Sequence, residues 1–67
     1  MKINLNNRLE EFNVDSLSIA ELLKLKNFSF KMLVIKINGK IVKKDEHDLA
    51  IVKNGDDVMI LHLISGG

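Results

Sequence analysis

Residues 17–26, "LSIAELLKLK", decide the fold of this 67-residue chain because no other stretch combines the caps, length and apolar period of a helix. Ser18 and Glu21 have the S-x-x-E spacing of a capping box, in which the serine oxygen accepts from the Glu21 backbone N–H and the glutamate reaches back. The helix is predicted to end near residues 26–27. The apolar side chains on its predicted buried face are Ile19, Leu22 and Leu23.

Two strands are predicted before the helix. Residues 2–6, "KINLN", place Ile3 and Leu5 on one side, which is the period of a half-buried strand. Asn6-Asn7 favours a turn because asparagine tolerates left-handed backbone angles. Residues 8–14, "RLEEFNV", alternate imperfectly, which predicts an edge strand or a bulge.

A second hairpin is predicted after the helix. Residues 32–37, "MLVIKI", have strand composition and stop at Asn38-Gly39, the commonest dipeptide of a two-residue hairpin turn. Residues 40–43, "KIVK", are expected to form a short strand that pairs with the strand before this turn. Residues 44–56 are then expected to cross irregularly, with one short helical turn, and to end at the turn Asn54-Gly55.

The last predicted strand, residues 57–64, "DVMILHLI", is the clearest in the chain. The connection over residues 28–31 is expected to keep Phe28 or Phe30 against the core, and the pattern does not decide between them.

The order of these elements predicts an α+β fold. The first and last strands both have the composition of central strands, and a helix across one face is the economical way to bury them. We therefore expect a β-grasp (ubiquitin-like) fold, a mixed sheet of four to five strands with parallel terminal strands and one main helix. A ferredoxin-like sandwich would need two full helices. The predicted domain is residues 1–64, with residues 65–67 as a flexible tail.

Composition limits the classes of function. The chain has no cysteine, tryptophan or tyrosine and 46% hydrophobic residues, so an aliphatic core must stabilise it. The net charge is +1 and the lysines are scattered, which predicts no nucleic-acid partner. No apolar run approaches the roughly 18 to 20 residues that span a bilayer, so no membrane partner and a cytoplasmic location are expected.

The sequence ends in Ser65, Gly66 and Gly67. Ordering glycine costs more conformational entropy than ordering any other residue, so this tail is expected to stay flexible until a partner binds it. Without a Cβ, the terminal carboxylate can be threaded into a narrow channel. With a pKa of about 3.5 it is an anion and a poor acyl donor at neutral pH, so chemistry there requires activation.

An apolar stripe is predicted to lead to the tail. If Val58 and Ile60 face the core, the residues between them face outward, and soluble monomers seldom leave such a stripe bare. The predicted partner-binding residues are Met59, Leu61, Leu63 and Ile64. The alternative is that residues 28–31 or a second copy of the chain cover the stripe.

No metal site or acid–base pair is predicted. His47 and His62 are far apart in sequence and lack a spaced third ligand. The carboxylates around His47 are expected at the surface. They are Asp45, Glu46 and Asp48.

Several motifs together resemble the ThiS-type sulfur carriers of thiamine biosynthesis, small β-grasp proteins that end in Gly-Gly. The matching segments are "MKINLN", "LSIAELL", "INGKIV", "VKNGDDVMIL" and "ISGG". The resemblance implies that a ThiF-like adenylyltransferase uses ATP and Mg²⁺ to adenylate Gly67. A sulfur donor such as a cysteine desulfurase then displaces AMP, which converts the Gly67 carboxylate to a thiocarboxylate. A thiazole synthase uses the sulfur of this thiocarboxylate. The chain would be a protein co-substrate with no bound cofactor, not an enzyme.

Other functions remain open at this stage. A carrier for molybdopterin or tRNA thiolation, or a ubiquitin-like modifier, would use the same activated glycine. A β-grasp binding module of the RNA-associated kind would not need the tail, but it would be expected to show basic clusters and stacking aromatic rings. The oligomeric state is not predicted.

Overall fold

The computed structural model describes residues 1–28 and 32–63 of the chain. Seven strands, one helix and one 3₁₀ turn follow in chain order within these ranges. They are β1 (Lys2–Leu5), β2 (Arg8–Glu11), β3 (Ser16–Ser18), α1 (Ile19–Leu25), β4 (Leu33–Ile37), β5 (Lys40–Val42), the 3₁₀ turn (Lys44–Glu46), β6 (Ile51–Lys53) and β7 (Asp57–His62).

Five of the strands form one mixed sheet in the order β2-β1-β7-β4-β5. The first and last strands are both central and run parallel to each other, with Leu5 in register with Val58. β2 is an edge strand, and the antiparallel pairs β1–β2 and β4–β5 are hairpins. The predicted β-grasp arrangement, including the parallel terminal strands, is confirmed.

The predicted helix start is also confirmed. The Ser18 Oγ accepts from the Glu21 backbone N–H at 3.1 Å, and the Glu21 carboxylate accepts from the Ser18 N–H at 2.9 Å. Two backbone N–H groups at the helix start, those of Ser18 and Glu21, are thereby satisfied without water.

The helix ends in a Schellman motif. Asn27 takes the left-handed conformation with φ of 57°, and its N–H donates to the Lys24 carbonyl at 3.2 Å. The Phe28 N–H donates to the Leu23 carbonyl at 2.9 Å, which completes the motif. The sequence leaves open whether Phe28 or Phe30 packs against the core. Phe28 does so, and Phe30 lies outside the described residues.

The core lies between the helix and one face of the sheet, and it is aliphatic as the composition requires. Ile19 and Leu22 of the helix are fully buried, and Leu23 packs against the core from its edge. The buried residues are Ile3, Leu5, Leu17, Ile19, Leu22, Ile35, Val52, Val58 and Ile60.

Both predicted hairpin turns have the backbone that their residues favour. Asn6 and Asn7 have φ of 52° and 65°, and Asn38 and Gly39 have φ of 51° and 83°. Positive φ at both central residues is the type I′ pattern, whose twist matches that of the flanking strands. These turns set the two hairpin registers.

The segment between β5 and β7 is more ordered than the sequence pattern predicts. The predicted short helical turn is present at Lys44–Glu46, but Ile51–Lys53 pairs antiparallel with Ser16–Ser18 as a separate two-stranded sheet. β2 stops at Glu11, earlier than predicted. Within the described residues, no helix is long and apolar enough to cross a bilayer.

The capping box predicts a pH dependence. The backbone hydrogen bond from Ser18, and then its hydroxyl, lower the pKa of the Glu21 carboxyl below its ordinary 4.5. Because the folded pKa is depressed, this stabilisation is present above pH 4.5 and is lost as the pH falls through the folded pKa. We expect the difference in free energy of unfolding between wild type and Glu21→Gln to shrink between about pH 6 and about pH 3.

Urea unfolding at each pH measures this difference. Glu11→Gln is the matched control, because the exposed Glu11 carboxylate forms no hydrogen bond to any part of the chain that the structure describes. Parallel pH curves for wild type and Glu21→Gln would contradict the assignment.

Candidate functional site

The sheet face opposite the helix carries an apolar surface from three adjacent strands. In the pairing of β4 with β7, Val34 lies opposite Leu61 and Lys36 opposite Met59. In the pairing of β4 with β5, Ile41 lies opposite Lys36. Directly paired residues project to the same face of a sheet, and the intervening residues of β7 are buried on the helix side. These five residues therefore share the outer face.

The surface continues to the end of the described chain. The Leu63 N–H donates to the Met32 carbonyl at 3.0 Å, which extends the β4–β7 register by one pair. Met32, Ile41, Leu61 and Leu63 are 49%, 64%, 48% and 46% exposed, and Val34 and Met59 are half-buried. We call these six residues the outer patch: Met32, Val34, Ile41, Met59, Leu61 and Leu63.

The structure places the predicted site residues as follows. Val58 and Ile60 are buried, and Met59, Leu61 and Leu63 lie on the outer side, as the alternation of β7 predicts. Leu61 and Leu63 are both about half exposed, and residues 29–31, most of the alternative cover, lie outside the described residues. Ile64, Ser65, Gly66 and Gly67 lie outside the described residues.

Half of the outer patch was missed at the sequence level. Met32, Val34 and Ile41 come from β4 and β5, and their proximity to β7 depends on strand register. The alternation of "MLVIKI" is a usable signal, because it sets Met32 and Val34 on the face opposite Ile35.

Asn6 supports β7 beside the outer patch. β1 pairs with β7 through the Asn4 N–H to the Asp56 carbonyl at 3.0 Å and the Asn6 N–H to the Val58 carbonyl at 2.9 Å. Beyond Asn6 the backbone of β1 no longer pairs with β7, and the Asn6 side chain makes the next hydrogen bonds to β7. Its Oδ1 accepts from the Ile60 N–H at 2.7 Å and its Nδ2 donates to the Ile60 carbonyl at 3.1 Å. One amide side chain thus continues the ladder in place of a peptide group.

A second asparagine holds the start of β7. The Asn38 N–H donates to the Asp57 carbonyl at 2.7 Å, and the Asn38 Oδ1 accepts from the Asp57 N–H at 2.9 Å. The Asn38 Nδ2 also donates to the Asp56 carboxylate at 3.0 Å. Both hairpin turns therefore contribute side-chain hydrogen bonds to the central strand.

Lys36 is a charged residue on the outer face with members of the outer patch around it. It is exposed between Met59 and Ile41, and Val34 lies two residues earlier on its own strand. Its ammonium forms no ion pair or hydrogen bond with the described residues. The outer patch is thus an apolar surface that surrounds a cation with no partner among the described residues, and Asp57 lies at its margin on the same side of β7.

The described residues contain no cluster of three or more His, Asp or Glu side chains that could hold a metal ion. Glu46, one of the acidic residues near His47, accepts from the Lys43 N–H at 2.9 Å and so caps the 3₁₀ turn. The prediction that the chain binds no metal stays a prediction.

An open cleft of about 380 Å³ lies beside the helix. Its lining residues are Leu17, Glu21, Lys24 and Leu25. The carboxylate of Glu21 is engaged in the capping box, so the acidic group of this cleft serves the helix start.

Residues 3–67 match the family model described as the ThiS family. The chain belongs to the ThiS family. The crystal structure of the thiamine biosynthesis protein ThiS from Geobacter metallireducens has a TM-score of 0.87 and 29% sequence identity, with all of both chains covered. A solution structure of a thiamine biosynthesis protein from the same organism has a TM-score of 0.78 and 29% identity, covering all of this chain and 88% of that one. No curated protein matches.

Membership of the ThiS family sets the coarse function. The chain is a small sulfur carrier of thiamine biosynthesis and not a catalyst. The family in general interacts with an adenylyltransferase and a thiazole synthase, so the site of interest is a protein-binding surface.

The Asn6 side chain is expected to stabilise β7 measurably. Asn6→Gly keeps the positive φ without strain and removes both hydrogen bonds to Ile60, so we expect a loss of about 1–3 kcal/mol in the free energy of unfolding. Hydrogen exchange at the Ile60 amide should accelerate in the same variant, because that N–H loses its acceptor.

Asn7→Gly is the matched control. Asn7 also has positive φ, at 65°, but its side chain makes no hydrogen bond to the residues described. The unfolded-state effect of glycine is the same in both variants, so the control should change stability by less than about 0.5 kcal/mol. Equal losses in the two variants would show that the Asn6 side chain contributes nothing.

Proposed function

We propose that the chain carries sulfur as a thiocarboxylate on Gly67. The observation that carries this proposal is the match to the ThiS family, which extends to residue 67, together with a central strand that leads to Leu63, four residues before it.

The composition supports the C-terminal carboxylate as the carrier group. A protein can hold transferable sulfur as a cysteine persulfide, but this chain has no cysteine. A carboxylate becomes a sulfur carrier when one oxygen is replaced by sulfur. The absence of a Cβ at Gly66 and Gly67 favours the C-terminal carboxylate, because a narrow enzyme channel can admit it.

The proposed loading of sulfur consists of a substitution at phosphorus, a substitution at the acyl carbon and a reductive cleavage. The Gly67 carboxylate attacks the α-phosphorus of ATP on a ThiF-like adenylyltransferase, which forms an acyl adenylate and releases pyrophosphate. Mg²⁺ and cationic groups of that enzyme stabilise the charge on the phosphates. A persulfide sulfur, from a donor such as a cysteine desulfurase, attacks the acyl carbon and displaces AMP. Reductive cleavage of the acyl disulfide by a thiol leaves the thiocarboxylate.

The thiocarboxylate sulfur then bonds to the substrate of a thiazole synthase, and hydrolysis of the acyl–sulfur bond leaves the sulfur on that substrate and returns the chain to the carboxylate. The carrier contributes an acyl group and a docking surface, while its partners contribute the catalytic groups. We expect this cycle in the cytoplasm, where ATP is available.

The outer patch is the proposed docking surface for the adenylyltransferase. Four of its six side chains are 46–64% exposed, and they extend over three strands up to the last described residue. Gly67 is four residues beyond Leu63, so covalent geometry limits its reach from there to at most about 14 Å. A partner that binds the outer patch therefore holds its own active site within this distance.

The first test is the mass of the intact chain after incubation with the adenylyltransferase, ATP, Mg²⁺, a cysteine desulfurase, cysteine and a reducing thiol. We expect a gain equal to one oxygen replaced by sulfur, located by fragmentation to the C-terminal residue. Omission of ATP and deletion of Gly67 are the controls, and both should abolish the gain. An unchanged mass with active partner enzymes would refute the proposal.

The second test separates docking from chemistry. Leu61→Asp places a charge in the outer patch and should lower kcat/KM for adenylation by about 30-fold or more, because a desolvated charge replaces an apolar contact. The measurement is pyrophosphate release as a function of carrier concentration.

Leu49→Asp is the control, because Leu49 is 77% exposed and lies outside the sheet. It should change kcat/KM by less than about twofold. Urea unfolding of both variants checks that they remain folded. Equal effects of the two substitutions would argue against the outer patch as the docking surface.

A further inference from the structure

We infer that the partner surface that covers the outer patch carries a carboxylate opposite Lys36. This inference rests on the proposed function, in which that partner is the adenylyltransferase. It adds a specific electrostatic requirement to an otherwise apolar contact.

The position of Lys36 carries the argument. Its neighbours across the sheet are Met59 on β7 and Ile41 on β5, and Val34 precedes it on the same face. A partner that buries these apolar side chains also removes water from around the Lys36 stem and ammonium. A buried ammonium without a counter-charge is strongly unfavourable, so the contact requires an acceptor at that point.

Among the described residues, no group pairs with the Lys36 ammonium, and Asp57, which continues the same face of β7 two residues before Met59, forms no ion pair with it. The Lys26 ammonium pairs with the Glu10 carboxylate at 2.7 Å on the helix side, but Lys36 has no such partner among the described residues. The six residues of the outer patch include no acidic side chain. We therefore expect the counter-charge to come from the occupant.

The same observation disfavours a second copy of this chain as the occupant. In a two-fold contact through the outer patch, each copy would bring another Lys36 and the same six apolar residues. Such a dimer would desolvate two ammonium groups without offering a carboxylate from the outer patch to either. An acidic partner surface satisfies the requirement, whereas the outer patch of a second copy does not.

Lys36→Met is the decisive variant. Methionine keeps a similar unbranched stem and removes the charge, so it preserves the apolar contact. If a partner carboxylate faces Lys36, this variant leaves that carboxylate desolvated and unpaired, and we expect the Kd for the adenylyltransferase to rise about 10-fold or more. If no carboxylate is present, the removal of a cation from an apolar contact should leave the Kd unchanged or lower it.

Two further variants complete the test. Lys36→Glu should raise the Kd more than Lys36→Met does, because it sets two carboxylates against each other. Lys40→Glu is the control. It makes the same change in net charge, but Lys40 pairs with Ile37 and so lies on the opposite side of the same hairpin. It should alter the Kd by less than about twofold at physiological salt, where charges beyond about 8 Å are screened.

The experiment is calorimetric titration of each folded variant into the adenylyltransferase of the same organism, with wild-type adenylation assayed in parallel. A Kd for Lys36→Met equal to or below that of wild type overturns the inference, as do equal effects of Lys36→Glu and Lys40→Glu. Restoration of Lys36→Glu binding by one Asp→Lys or Glu→Lys change in the partner would identify the carboxylate. Absence of wild-type binding and adenylation would instead refute the proposed function, and this inference with it.

Discussion

The parallel pairing of β1 with β7 is the constraint on which the rest of the structure depends. It joins residues more than 50 positions apart, from the Asn4 N–H to the Asp56 carbonyl and from the Asn6 N–H to the Val58 carbonyl. It also aligns the buried side chains of the two strands, so that the helix can cover them together. Parallel strands need a long crossover, and here the intervening helix and second hairpin provide it. The pairing of β1 with β7 joins the two hairpins into one sheet.

The elements that the sequence predicts well are those set by neighbouring residues. The capping box of Ser18 and Glu21 and the two hairpin turns each follow from two to four residues, because their hydrogen bonds and φ angles are local. The pairing of Ile51–Lys53 with Ser16–Ser18 was not predicted, because each strand has only three residues and too few alternations to show a period. Ser18 also has two functions, as the end of a strand and as the helix cap.

Long-range contacts mark the limit of prediction at the site. The outward side of β7 follows from its own alternation, but the contributions of β4 and β5 require the register of two strand pairs. Asn6 illustrates the same limit. Its turn is readable from the sequence, whereas its two hydrogen bonds to Ile60 depend on where β1 stops relative to β7. A side chain chosen for a local turn is thereby also part of the central ladder.

The two faces of β7 have different roles, because the inner face stabilises the fold and the outer face is the proposed docking surface. Val58 and Ile60 fix the strand against the core, and Asn38 and Asn6 hold its backbone near both ends. The outer side chains thus project from a strand that is already ordered, so this chain loses little backbone conformational entropy when a partner binds. Apolar contact alone orients two surfaces poorly because it is non-directional. A single charge within such a surface favours the one alignment that pairs it, which a carrier requires if its end is to enter a partner's active site in a defined direction.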